Sequence, residues 1–255
     1  MAEHPAGTTP KSLIEEHTPD AIRVRIAQST RHSYVGDFVL GAVDGTVTTF
    51  AIVAGVAGAG LPGGVAIILG LANVAADGFS MAVSNYLKAR SDSQVVDRIR
   101  EVEEMHIDRI PEGERAEVRE IFAGKGFEGE LLDRIVEVIT SDRRRWIDTM
   151  LTEEWGLQLD TPSPVRAGLT TFLAFITAGL VPLLPLFVAA WFAGRQMFLA
   201  SALLTALTFF LVGVIRGQIT SRGRILAGLE TLLVGGSAAA LAYMIGVWLK
   251  GFATA

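Results

Sequence analysis

Five stretches of this chain are apolar over the length of a membrane crossing, and that restricts its fold more than any other feature. They cover about residues 36–59, 63–87, 166–190, 195–216 and 224–249. A helix needs ~20 apolar residues to cross the hydrocarbon core of a bilayer. Only helices and closed barrels satisfy their own backbone there, and barrel strands are half this length. Five spanning helices are therefore predicted. The mean hydropathy is +0.42 although 19% of the residues are charged, so the charge must be segregated. Residues 88–164 hold 19 of the 27 acids and 12 of the 22 Lys and Arg. The expected fold class is all-α: a five-span transmembrane domain with a three-helix cytoplasmic insert between spans 2 and 3. The expected boundaries are an N-terminal cytoplasmic segment with a short amphipathic helix (1–32), spans 1 and 2 (33–88), the insert (89–163) and spans 3 to 5 (164–255).

The first two spans contain charges where they are least welcome. Span 1 reads GAVDGTVTTF and holds Asp44-Gly45; span 2 reads ANVAADGFSM and holds Asp77-Gly78. Between His32 and Leu87 there is no Lys or Arg, and Asp37, Asp44 and Asp77 are the only acids. An ionisable group in a bilayer costs several kcal/mol, so it is usually paired or faces a transport pathway. Acids in neighbouring spans without a basic partner suit a passing cation. The alternative is that each Asp simply bonds a neighbouring helix. Asn73, one helical turn before Asp77, and Thr48, one turn after Asp44, add oxygen and amide groups to the same region, and Met81 adds a thioether.

The insert reads as three helical stretches: 91–110, a second opening at Pro111, and a third over 131–157 that is broken near Ser141. Glu103 and His106 are three residues apart and share a helix face, as do Glu114 and Glu117. Met150 and Glu154 are four apart. Converging faces would offer carboxylates, an imidazole and a thioether, which suits Fe²⁺, Mn²⁺, Co²⁺ or Zn²⁺ rather than Ca²⁺ or Mg²⁺. Glu-rich helices are more often solvated faces, so spacing alone does not decide this. The chain has no cysteine, which excludes thiolate ligands and disulfides. A formal net charge of −5 argues against nucleic acid as a partner.

Arginines set the expected orientation. Arg23, Arg25 and Arg31 precede span 1, the insert is Arg-rich, and Arg216, Arg222 and Arg224 flank the connection after span 4. These are expected to be cytoplasmic, which puts the C-terminus outside or in a lumen. The N-terminal residues lack the apolar run of a signal peptide. In span 3, Pro182 and Pro185 free backbone carbonyls that neighbours must satisfy.

The segments DFVLGAVDGTVTTFAIVAG and GLANVAADGFSM resemble the signature of the vacuolar iron transporter family. The likeness continues through PEGERAEVREIF, WIDTMLTEE and ETLLVGGSAAALAY, covering roughly residues 33–250. The resemblance implies a homodimeric, five-span carrier that moves Fe²⁺ out of the cytosol in exchange for protons, and no enzyme. It implies a transport pathway through Asp44 and Met81, to which the residues above add Asp37, Thr48, Asn73 and Asp77. It implies metal capture in the insert by Glu103, His106, Glu114, Glu117, Met150 and Glu154. His106 stands where the family has Glu; an alternative register would use Glu101 and Glu104 but needs a two-residue insertion before Pro111. Imidazole in that place would favour later transition metals over Mn²⁺. No cofactor is expected. The expected partners are divalent metal ions (Fe²⁺, with Mn²⁺, Co²⁺ or Zn²⁺ as alternatives), protons, lipid and a second copy of the chain. The expected membrane is a bacterial inner membrane, with a vacuolar membrane as the alternative. A membrane-anchored, ferroxidase-like iron-binding protein is the competing function.

Overall fold

A computed structural model describes residues 15, 17–29, 32–188, 194–219 and 223–253. Arg31 and Arg222, used above to orient the chain, lie outside the described residues, as do residues 189–190 of the expected third span. All regular elements among the described residues are helical, and five helices are long and apolar enough to cross a membrane. The chain divides into two compact units, Met1–Leu87 with Pro164–Ala255, and Lys88–Ser163.

In the first unit, α1 (Pro19–Ser29) precedes α2 (Val35–Ala59). Val24 and Ile26 of α1 are exposed. Gly60 ends α2 with φ 73°, and its N–H bonds back to the carbonyls of Ala57 and Val56. A left-handed residue here favours glycine, and it turns the chain at once into α3 (Gly63–Arg109). The other apolar helices are α7 (Pro164–Leu180), a 3₁₀ turn at Val181–Leu183 with the short α8 (Leu184–Phe187), α9 (Gly194–Ile219) and α10 (Arg224–Ala253).

Helix α2 is the hub of this unit, with α7, α9 and α10 all packed against it. Small residues permit that approach. A Cβ on Gly45 would overlap the Phe175 carbonyl of α7, and a Cβ on Gly246 would overlap the Gly55 carbonyl. In a bilayer, where lipid is as apolar as Leu, such backbone proximity supplies the packing energy. Ser201 of α9 donates its hydroxyl to the Pro182 carbonyl oxygen at 2.6 Å. Near one end of the bundle, Arg216 of α9 donates to Glu230 of α10 at 2.6 Å.

The second unit has its own apolar core, built from Val96, Ile107, Val118, Leu132, Val136, Ile139, Trp146, Ile147, Met150 and Leu151. It is made of the charged end of α3, α4 (Pro111–Gly124), α5 (Gly129–Thr140), α6 (Arg143–Thr149) and a π-helical turn, Met150–Glu154. One detail differs from the sequence expectation. Span 2 and the first charged stretch form a single unbroken helix, since nothing between Leu87 and Ser91 terminates one. The third stretch breaks near Ser141 as expected: Asp142 caps α6 by accepting the Arg145 N–H at 2.8 Å. Ion pairs tie the surface together, among them Arg100 with Asp148 at 2.8 Å and Arg143 with both oxygens of Asp108.

Candidate metal centre

The cluster in the second unit is made by one helix break. Glu103 and His106 lie on the last turns of α3. The Ile110 N–H bonds to the His106 carbonyl at 2.7 Å, and Pro111, with no N–H to lose, opens α4. Glu114 sits in the first turn of α4, where the helix dipole favours a carboxylate. The chain reversal brings these three side chains together: one ligand atom from each of Glu103, His106 and Glu114 lies within 4.8 Å of the others.

Burial gives this grouping its meaning. Glu103 is 1% exposed and Glu114 0%. Oε2 of Glu103 and both oxygens of Glu114 have no hydrogen-bond partner. His106 Nδ1 comes within 3.2 Å of Glu114 Oε1 without making a hydrogen bond. Carboxylate oxygens buried without a donor are expensive, and those of two acids side by side are more so. Burial, reinforced by the charges of Glu117 and Glu103, pushes the Glu114 carboxyl up to about 8. Burial and the charges of Glu103 and Glu117 also raise Glu154, partly offset by His106 and the Trp155 indole. Two carboxylates and an imidazole, converging with oxygens unused, form a donor set for a divalent transition metal.

The other expected insert ligands differ from the cluster in burial. Glu117 and Glu154 are exposed and act on Glu114 through their charge. Met150 is wholly buried in the apolar core. Glu101 and Glu104, the ligands of the alternative register, are exposed.

In the first unit, Asp37, Asp44 and Thr48 of α2 and Asn73, Asp77 and Met81 of α3 are all half-buried. Thr48 donates to the Asp44 carbonyl at 2.9 Å and accepts from Asn73 at 3.1 Å, which joins α2 to α3. Asp77 is close enough to act on Asp44 electrostatically. Asp37 is held by Asn85, whose amide donates to Asp37 Oδ1 at 2.8 Å and to Thr171 of α7 at 2.8 Å. His32 Nε2 lies 3.7 Å from the other oxygen of Asp37.

Asn85, Thr171 and Trp155 were not expected from the sequence. Asn85 had a readable signal: Asn73, Asp77, Met81 and Asn85 recur every fourth residue, one polar stripe on an otherwise apolar helix. Trp155 had none. Its indole N–H donates to Glu103 Oε1 at 2.9 Å across 52 residues of chain.

Comparison with known proteins finds similarity over nearly the whole chain. The family model described as "VIT family" matches residues 35–247. The chain is 32% identical to "Vacuolar iron transporter 1" of Tulipa gesneriana over 246 residues, covering 93% of this chain and 95% of the tulip protein. It is 34% identical to "Vacuolar iron transporter 2" of Oryza sativa subsp. japonica over 236 residues, 91% of each. It is 32% identical to "Vacuolar iron transporter" of Toxoplasma gondii over 230 residues, 87% of this chain and 76% of that one. With five membrane-length helices and a family match spanning them, this chain belongs to the VIT family of membrane transporters.

Proposed function

We propose that the protein carries Fe²⁺ out of the cytosol in exchange for protons. The observation that carries this reading is the buried pair Glu103 and Glu114: Oε2 of Glu103 and both oxygens of Glu114 lack donors beside the His106 imidazole. A divalent cation relieves that cost, so this cluster is the capture site, with Glu117 and Glu154 attracting the ion electrostatically. Met150 supports the cluster from the core. The 88–163 region is then a cytoplasmic insert, and the N-terminus is cytoplasmic too.

Translocation uses the span residues. Asp44 neutralises the desolvated ion, and Met81 offers a soft, weakly held ligand. Asp37, Thr48, Asn73 and Asp77 supply further polar groups along α2 and α3. A proton and a metal ion competing for the Asp44 carboxylate give exchange directly: protonation releases the ion, and the ion displaces the proton. Two copies of the chain enclose the path, since α3 leaves Ile68, Phe79 and Leu87 exposed on the single chain. The relatives' names favour iron, while the imidazole of His106 favours a second reading in which Co²⁺ or Zn²⁺ is carried as well as or better than Fe²⁺, with Mn²⁺ behind. An anchored ferroxidase-like protein is disfavoured, because di-iron bundles use two Glu-x-x-His pairs and this insert has one. Uptake of labelled Fe²⁺ into proteoliposomes under anaerobic conditions, with Mn²⁺, Co²⁺ and Zn²⁺ as competitors, tests the assignment. Saturable uptake supports a carrier, and binding without uptake supports the anchored protein.

A further inference from the structure

Trp155 is a large aromatic residue turned the unusual way round. Its ring is 46% exposed, yet its one polar atom points inward and donates to Glu103 Oε1 at 2.9 Å. Burial of the ring is therefore not what places it. The backbone around it is specialised. Trp155 closes the π turn, its N–H reaching the Met150 carbonyl five residues back at 3.3 Å. Gly156 follows with φ 63°, and the Leu157 N–H returns to the Leu151 carbonyl at 2.9 Å. A π turn carries one more residue than an α turn and re-aims the side chain that ends it; such turns concentrate at functional sites.

The bond divides the two oxygens of Glu103 into different roles. Oε1 is occupied by the indole, while Oε2 is buried and has no partner. We propose that Trp155 is a positioning residue for the metal cluster, holding Glu103 so that it presents one oxygen to the ion. This rests on reading Glu103, His106 and Glu114 as a cation site. A one-oxygen carboxylate beside an imidazole suits transition metals of four to six ligands. Ca²⁺ takes six to eight oxygens and gains from a carboxylate that binds through both. Trp155 thus acts on selectivity as well as affinity.

The test is metal binding by the full-length protein in detergent, with Co²⁺ and Ca²⁺ as probes. Trp155→Phe keeps the ring and removes the donor. Loss of such an outer partner typically costs 10- to 100-fold in metal affinity, so Co²⁺ binding should weaken by about 10-fold and the Co²⁺ preference over Ca²⁺ should narrow. In a Glu103→Gln background the same change should have no further effect, which a general loss of folding would not produce. An unchanged Co²⁺/Ca²⁺ ratio in Trp155→Phe, or an equal loss in both backgrounds, overturns the proposal while leaving the site intact. Absence of Co²⁺ binding by the unsubstituted protein overturns both the site and the proposal. Should Trp155→Phe fail to fold, the indole N–H of the unsubstituted protein decides the matter: slow exchange with solvent and a shift on Zn²⁺ binding are expected, and free exchange contradicts the bond.

Discussion

His106 Nδ1 lies 3.2 Å from Oε1 of Glu114, an imidazole at the end of one helix against a buried carboxylate at the start of the next. The contact depends on the reversal at Ile110 and Pro111, and around it the buried acids Glu103 and Glu114 converge on the imidazole. Four predictions follow from that arrangement and from the packing of the spans.

Without metal, the protein should lose stability as pH rises. Burial and neighbouring acids lift Glu114 from its ordinary value of 4.5 to about 8, so the folded state holds this proton more tightly than the unfolded one. The stabilisation is fully present below the ordinary value and is lost as pH climbs through about 8. In chelator, the melting temperature of the insert should fall between pH 6 and pH 9. Glu114→Gln should flatten that dependence and be the more stable form at pH 9. Thermal melts followed by circular dichroism would read this; a melting temperature that rises with pH contradicts it.

Substitution at the cluster should alter metal binding and metal choice separately. Glu103→Gln and Glu114→Gln each remove a charged, buried ligand and should weaken Co²⁺ binding by at least about 10-fold. His106→Glu replaces nitrogen by oxygen, so the preference for Zn²⁺ and Co²⁺ over Mn²⁺ should shrink. Competition titrations against a fluorescent chelator measure both. A preference unmoved by His106→Glu would place the imidazole outside the coordination sphere.

Asp44→Asn should stop transport while leaving capture intact, because Asp44 lies in the span unit and the cluster lies in the other. Flux in proteoliposomes should fall at least about 100-fold, with Co²⁺ binding in detergent unchanged. Loss of both together would show that the substitution had damaged the protein as a whole.

Close helix packing around α2 should be intolerant of bulk. Gly45→Ala would drive a methyl into the Phe175 carbonyl, and overpacking of this kind costs about 1–3 kcal/mol. Asn85→Ala would remove the bonds to Asp37 and Thr171, costing about 1–3 kcal/mol for the groups left unpaired. Unfolding in mixed micelles should show both losses. The exposed-site control Leu203→Ala, on a side chain 72% exposed, should change little.

What could be read from the sequence follows from range. Spans are written locally, in uninterrupted apolar runs, so the starts of all five helices were legible to within a few residues. The pairing of Glu103 with His106 is a matter of helical spacing, and the break at Pro111 announces itself. What joins distant segments is not periodic. The Trp155 bond to Glu103 depends on a π turn, and nothing in MLTEEW distinguishes that turn from an α turn. The continuity of α3 was hidden because composition changes at Leu87 while helix propensity does not. Met150 shows the converse limit: its spacing from Glu154 was visible, but only packing reveals that its side chain sits in the core.

The proposed carrier depends on metal movement coupled to protons through Asp44. The direct measurement uses proteoliposomes enclosing a pH-sensitive dye, an imposed proton gradient and Fe²⁺ added without oxygen. Metal uptake with matching proton exit is expected, both lost in Asp44→Ala and only weakened in His106→Ala. Fe²⁺ uptake with no proton movement, or normal coupled flux in Asp44→Ala, would contradict it.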